Sequence, residues 1–87
     1  MSGISDEQPQ LPLAGVGPRL VAAREALGLS RAAIADKTRI SERLVAKIEA
    51  GDFVGLPSRA YATGFTRSYA RAVGLDENEI VEAVRRE

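Results

Sequence analysis

From Val16 onward the apolar side chains recur every three or four residues, the period of a helix, and the pattern predicts five helices and no strand. Pro18 suits a first helical turn, Leu20, Val21, Arg24 and Leu27 follow at helical spacing, and Gly28 supplies a stop. Ser30 is placed to cap a short second helix, RAAIADKT, with Ile34 and Ala35 inward and Arg31 and Lys37 wet. Arg39 and Ile40 form a tight link. Ser41 then caps a third helix, ERLVAKIEA, whose apolar stripe is Leu44, Val45 and Ile48 and whose end is Gly51. A turn-rich connection, GDFVGLP, offers Phe53, Val54 and Leu56 as anchors. The fourth helix is expected from Ser58 to Val73, stopping at Gly74. Asp76 with Glu79 makes a capping pair that opens a fifth helix through Ile80, Val81 and Val84. Residues 1–15, MSGISDEQPQLPLAG, hold two prolines and two glycines without a period and read as a flexible leader, which leaves residues 16–87 as the folded domain.

The fourth helix lies in the stretch LPSRAYATGFTRSYARAVGLD, Leu56 to Asp76, and carries Tyr61, Phe65 and Tyr69, every aromatic residue except Phe53. A spacing of four turns about 40° per step, so Tyr61 and Tyr69 point roughly 80° apart and cannot share one narrow core contact. Tyr69, beside Ala70 and Val73, is expected inward, and Tyr61 and Phe65 nearer the rim. These rings either complete the core or form a protein-binding face, with Tyr61 and Phe65 as anchors and Arg59, Arg67 and Arg71 as the charged surround, a mixture that interfaces favour. Gly64 costs a helix about 1 kcal/mol against Ala, so its mid-helix position implies that another backbone comes close there, either helix one or another protein.

Composition narrows the function. Eighty-seven residues make one small domain with a single core, too small for the deep enclosed cavity usual in enzymes. There is no His and no Cys, which removes the commonest general base, the thiol nucleophile and the usual nitrogen and sulfur ligands of zinc. No cofactor, metal or small-molecule ligand is expected. Glu42 and Glu49 stand seven residues apart and read as solvated or structural, Glu49 as a local salt link or a cap on a neighbouring helix. No run approaches the roughly 20 apolar residues of a membrane helix, and no basic start with an apolar signal core is present. The net charge is zero, yet residues 19–71 hold ten basic residues against five acidic ones, which suits an anionic partner as well as an Arg-biased solvated surface.

Two short helices joined by so few residues suggest a helix-turn-helix unit, which in DNA-binding proteins lays its second helix in the major groove. The stretch LSRAAIADKTRISERLVAKIEAG, Leu29 to Gly51, resembles the Cro/C1 repressor-like, lambda repressor-like DNA-binding domain fold: Leu29 and Ser30 open the second helix, Ile34 and Ala35 pack it, Ile40 and Ser41 make the turn, and Ile48 and Glu49 close the third. The reading face departs from that pattern. Arg31 stands where DNA-binding members usually carry Gln, Arg39 where they carry Gly, and Leu44 where they carry a polar residue. Arg31 and Arg39 could still meet phosphates, and Arg43 and Lys47 could reach DNA or simply form an exposed helix face. Glu42 would repel the phosphates. A DNA-binding transcriptional regulator is therefore the alternative reading.

GPRLVAAREALGLS, with TRISERLVAKIEAGDFVGLPSRAYATGFTRSYARAVGLD, resembles the cytoplasmic N-terminal domain of the RodZ family of bacterial cell-shape proteins over about residues 17–82. The AREALGLS run, the EAGDFVGLP linker and the YATGFTRSYAR helix carry the resemblance; a generic Cro/C1 domain needs neither of the last two. The resemblance implies an all-α, five-helix bundle with a helix-turn-helix core and two added C-terminal helices. It implies a non-enzymatic adaptor that binds the actin-like filament protein MreB at the cytoplasmic face of the membrane, through a contact centred on helix four. Tyr61 and Phe65 are the positions carried over, with Arg67 and Arg71 on the same surface. Thr63 stands where similar proteins often carry Arg, which lowers the electrostatic share expected of this copy. Family members usually continue through a basic stretch into one transmembrane helix. This chain ends at VEAVRRE, so an excised domain and a soluble homologue are both expected possibilities.

Overall fold

The computed structural model describes residues 15–53, 56 and 58–86, with the side chain of Arg59 outside that description. The reading of residues 1–15 as a leader falls outside it except at Gly15, as does Val54 as an anchor. Among the described residues the chain forms five helices and no strand: α1 Val16–Ala26, α2 Arg31–Thr38, α3 Glu42–Glu49, α4 Arg59–Ala72 and α5 Glu77–Arg86. No helix there is long and apolar enough to cross a membrane.

The helix ends follow from the residues that flank them. The hydroxyls of Ser30, Ser41 and Ser58 accept from the backbone N–H of Ala33 at 3.1 Å, Leu44 at 3.2 Å and Tyr61 at 3.2 Å. Each such cap contributes about 1 kcal/mol. Asp76 Oδ1 accepts from the N–H groups of Asn78 and Glu79, but Glu79 does not complete the reciprocal box; its carboxylate reaches Arg19 of α1 at 3.1 Å. At the other ends α1, α3 and α4 each close with paired 6→1 and 5→2 bonds, Leu29 to Arg24 and Gly28 to Glu25 in α1, with Gly28, Gly51 and Gly74 at positive φ. Arg39 takes that left-handed position after α2, at φ 62° and ψ 28°, without a glycine.

The core is drawn from all five helices: Val16 and Leu20 of α1, Ile34 of α2, Val45 and Ile48 of α3, Ala62, Tyr69 and Ala70 of α4, and Ile80 and Val84 of α5, with Leu56 from the linker. α4 packs most extensively on α5, α2 rests on both α3 and α4, and α1 lies against α3. Two expectations change here. Leu27 sits past the end of α1 and is exposed; α1 starts two residues before Pro18 and buries Val16 and Gly17 instead. The close backbone approach is at Gly17 rather than Gly64. A Cβ on Gly17 would lie 2.2 Å from the carbonyl oxygen of Glu49, at the end of α3, whereas a Cβ on Gly64 would meet nothing within 4 Å.

Candidate protein-interaction face

At 100° per residue, α4 divides into two sides. Ala62, Thr66, Tyr69, Ala70 and Val73 turn inward and are buried. Tyr61, Phe65, Ser68 and Ala72 form a stripe on the other side. Along it the Tyr61 and Phe65 rings stack with centroids 5.5 Å apart and planes 4° from parallel. Phe65 is partly buried against the core, so it anchors the stack, while Tyr61 is 52% exposed. Such a pair gains about 0.5–1.5 kcal/mol beyond its buried area. The exposed ring is thus held in place before any partner arrives, which lowers the ordering cost of binding. Gly64 lies exposed beside the two rings, leaving a strip of bare helix surface open to a close neighbour.

Toward the C-terminal end of α4 the face becomes charged. Arg71 donates to Glu77 at the start of α5 through Nε at 3.1 Å and Nη2 at 2.9 Å, and Arg67 reaches the same carboxylate and Asn78 Oδ1 at 3.4 Å each. The Arg71 hydrogen bond holds the Glu77 carboxyl below its ordinary value of 4.5 against a smaller upward push from burial, with Arg67 adding to the effect. The bonds with Glu77 likewise raise the pKa of Arg71. Both guanidinium groups stay well exposed. Thr63, where similar proteins often carry Arg, spends its hydroxyl on the carbonyl of Ala60 at 3.0 Å.

Behind this face lies a buried polar cluster. Glu49, its side chain 8% exposed, accepts from Arg24 Nε at 2.8 Å and from the Tyr69 hydroxyl at 2.5 Å, and pairs with Arg31 Nε at 3.2 Å. Arg24 also donates to the Leu29 carbonyl at 2.8 Å. Glu49 is therefore a tertiary tie among α1, α2, α3 and α4 rather than a local link. Burial, then the hydrogen bond and charge of Glu49, push the Tyr69 phenol well above its ordinary value, with Arg24 pulling part of the way back. Burial pulls the pKa of Arg24 down, but its bonds to Glu49 and Tyr69 more than offset this and leave it raised. Tyr69 was legible as an inward ring; its hydroxyl partner, 20 residues away in sequence, was not.

The four residues of the DNA reading are scattered in their commitments. Arg31 is tied to Glu49, and Lys47 to Asp52 at 3.5 Å. Arg39 and Arg43 are exposed, with no ion-pair partner among the described residues. Leu44 and Ala46 are half-buried and Val45 is buried, so Glu42 and Arg43 are the exposed side chains on α3. No group of three or more acidic residues that could hold a metal occurs among the described residues. A groove beside α4 that includes Lys37 and Ser68 was not foreseen, because its walls come from residues 31 apart in sequence that no motif links.

Comparison with known proteins adds to this geometry. Residues 19–80 match the family described as a helix-turn-helix domain. The cytoskeleton protein RodZ of Streptococcus pneumoniae is 38% identical over 68 residues, which is 78% of this chain and 25% of that protein, so the chain spans about a quarter of its relative's length. The solved structure of YmfM, a proposed DNA-binding membrane protein of Staphylococcus aureus, superposes with a TM-score of 0.77 at 32% identity, covering 83% of this chain and 88% of that one.

Proposed function

The chain belongs to the helix-turn-helix domain family, as a RodZ-like member, and on that footing we propose that it is a non-enzymatic adaptor that binds the actin-like filament protein MreB through the outer face of α4. The observation that carries this reading is the half-exposed Tyr61 ring, stacked on Phe65 beside the open backbone at Gly64. An aromatic anchor already fixed in place, next to a strip where a second backbone can approach, is how binding hot spots are built. Arg67 and Arg71 supply the charged rim on the same helix. In a longer, anchored protein the domain would work at the cytoplasmic face of the membrane. Similarity to a cytoskeletal protein supports the filament partner.

The test is co-sedimentation with polymerised MreB from the same organism, wild type beside Tyr61→Ala/Phe65→Ala, with circular dichroism to check the fold. Wild type in the pellet and a folded double variant in the supernatant is the expected result. Equal pelleting of both, or of neither, refutes the reading.

Binding to DNA is the second reading. Similarity to a proposed DNA-binding protein and the exposed Arg39 and Arg43 favour it. Binding of that kind would weaken steeply with salt as counterion release loses its advantage. It would also fall on replacing Arg39 and Arg43 while surviving the loss of Tyr61 and Phe65.

A further inference from the structure

The stripe on α4 does not end at Phe65. Ser68 and Ala72 continue it for about 10 Å along the helix, and there they meet the C-terminal end of α2 across an open groove. The groove has a volume of about 350 Å³ and is lined by Lys37, Thr38, Ser68, Arg71 and Ala72. Its lining holds an ammonium, a guanidinium and two hydroxyls, and no carboxylate. Thr38 spends its hydrogen on the Ile34 carbonyl at 2.7 Å, which leaves Lys37, Ser68 and Arg71 as the donors available to a ligand. Lys37 has no ion-pair partner among the described residues. Arg71 does have one: Glu77, which also serves Arg67. Two arginines share the Glu77 carboxylate, so neither has it to itself, although Asp76 at the same joint balances the charge overall, and Lys37 adds a cation with no such partner among the described residues.

We propose that this groove is an anion subsite that receives a carboxylate side chain of the protein partner docked on Tyr61 and Phe65, and that Glu77 competes with that carboxylate for Arg71. The proposal rests on the reading of α4 as the docking face and deepens it. The donors converge from two helices on one opening, in line with the aromatic stack and within one turn of it, so a single partner surface would meet both. A carboxylate fits better than a nucleic-acid backbone. A phosphate chain needs a run of cations, but the stripe leads from the groove to Phe65 and Tyr61, whose rings already cover each other, and on the far side to the acidic start of α5. Glu77 makes the site self-limiting: its bonds to Arg71 must be shared or given up when the partner's carboxylate arrives.

The proposal gives opposite signs for two charge changes. Binding isotherms on polymerised MreB would compare wild type, Tyr61→Ala/Phe65→Ala, Lys37→Ala, Lys37→Glu and Glu77→Gln, each with a thermal melt. An exposed ion pair contributes about twofold to fivefold in affinity, so Lys37→Ala weakens binding by about that factor, and Lys37→Glu, which adds repulsion, by roughly tenfold or more. Glu77→Gln releases Arg71 and tightens binding by about twofold to fivefold, even though it loosens the tie between α4 and α5. Wild-type binding that fails in the aromatic variant but is unchanged in Lys37→Glu overturns the groove and leaves the docking face standing. Weaker binding by a folded Glu77→Gln overturns the competition. No binding by wild type, or full binding by the aromatic variant, overturns the face and the groove together.

Discussion

Replacing Glu49 tests the tie that holds four helices in register. The carboxylate is 8% exposed and accepts from Arg24 and Tyr69, and Arg24, 11% exposed, has besides it the Leu29 carbonyl and, at 4.0 Å, the exposed carboxylate of Glu25. Glu49→Ala leaves a nearly buried guanidinium with no closer counter-charge than the exposed Glu25 carboxylate at 4.0 Å, and a buried phenol without its acceptor, a loss of about 3–5 kcal/mol. Arg31 adds little to this, since its side chain is 51% exposed and solvent screens the pair. A domain of this size is stabilised by roughly 4–11 kcal/mol, so the variant should sit close to unfolding. Tyr69→Phe removes one donor while Glu49 keeps both arginines, and should cost about 1–3 kcal/mol. Because the two residues share one bond, Glu49→Gln with Tyr69→Phe should cost less than the sum of the single changes. Urea titrations followed by far-UV circular dichroism measure all four. A loss below about 1 kcal/mol for Glu49→Ala would mean that the cluster adds nothing its desolvation does not cancel, and the reasoning would fail.

Three further outcomes separate contacts that the sequence could not distinguish. Gly17→Ala forces a Cβ into the Glu49 carbonyl and should destabilise by about 1–3 kcal/mol, whereas Gly64→Ala points into open space and should stabilise by about 0.5–1 kcal/mol; denaturant midpoints of equal sign would contradict this. Thr66 is fully buried, and its hydroxyl has no hydrogen-bond partner among the described residues, so Thr66→Val should be neutral or raise stability by up to about 1 kcal/mol. Glu77 has a lowered pKa in the fold, so its pairing stabilises above the ordinary value of 4.5 and is lost as the pH falls through the lower folded value. Melting temperatures of wild type and Glu77→Gln should differ at neutral pH and converge in acid, and a gap independent of pH would refute the pairing.

The five helices were legible because each signal is local. A serine before each of α2, α3 and α4, a glycine after α1, α3 and α4, and an apolar period between them act within a few residues of where they stand. The division of the aromatics on α4 was legible for the same reason, since the helical period alone separates Tyr69 from Tyr61. What failed was the assignment of partners. Gly17 and Gly64 both sit inside helices, and nothing nearby reveals that only Gly17 faces a carbonyl of α3. Glu49 looks like an ordinary charge at a helix end until the fold brings Arg24 and Tyr69 to it from either side. The groove of Lys37, Ser68 and Arg71 likewise exists only once α2 rests on α4.

The same contacts bear on why a helix-turn-helix scaffold could turn to a protein partner. The helix-turn-helix is short of free cations here: Arg31 of α2 is drawn to Glu49, and on α3, the usual reading helix, Lys47 is drawn to Asp52 and Glu42 stands exposed beside Arg43. Arg39 holds a left-handed turn that suits glycine better, at a cost of about 1–2 kcal/mol in backbone strain. On α4 the balance is reversed. The buried side, with Tyr69 bonded into the Glu49 cluster, holds the helix in place, and the outer side carries rings, a bare glycine and arginines paired with Glu77 that the core does not need. The α2–α3 turn thus carries one costly feature, the backbone of Arg39, whereas α4 carries two side by side, an exposed aromatic ring and a helix-weakening glycine, and a partner that covers both is the simplest account of their being adjacent.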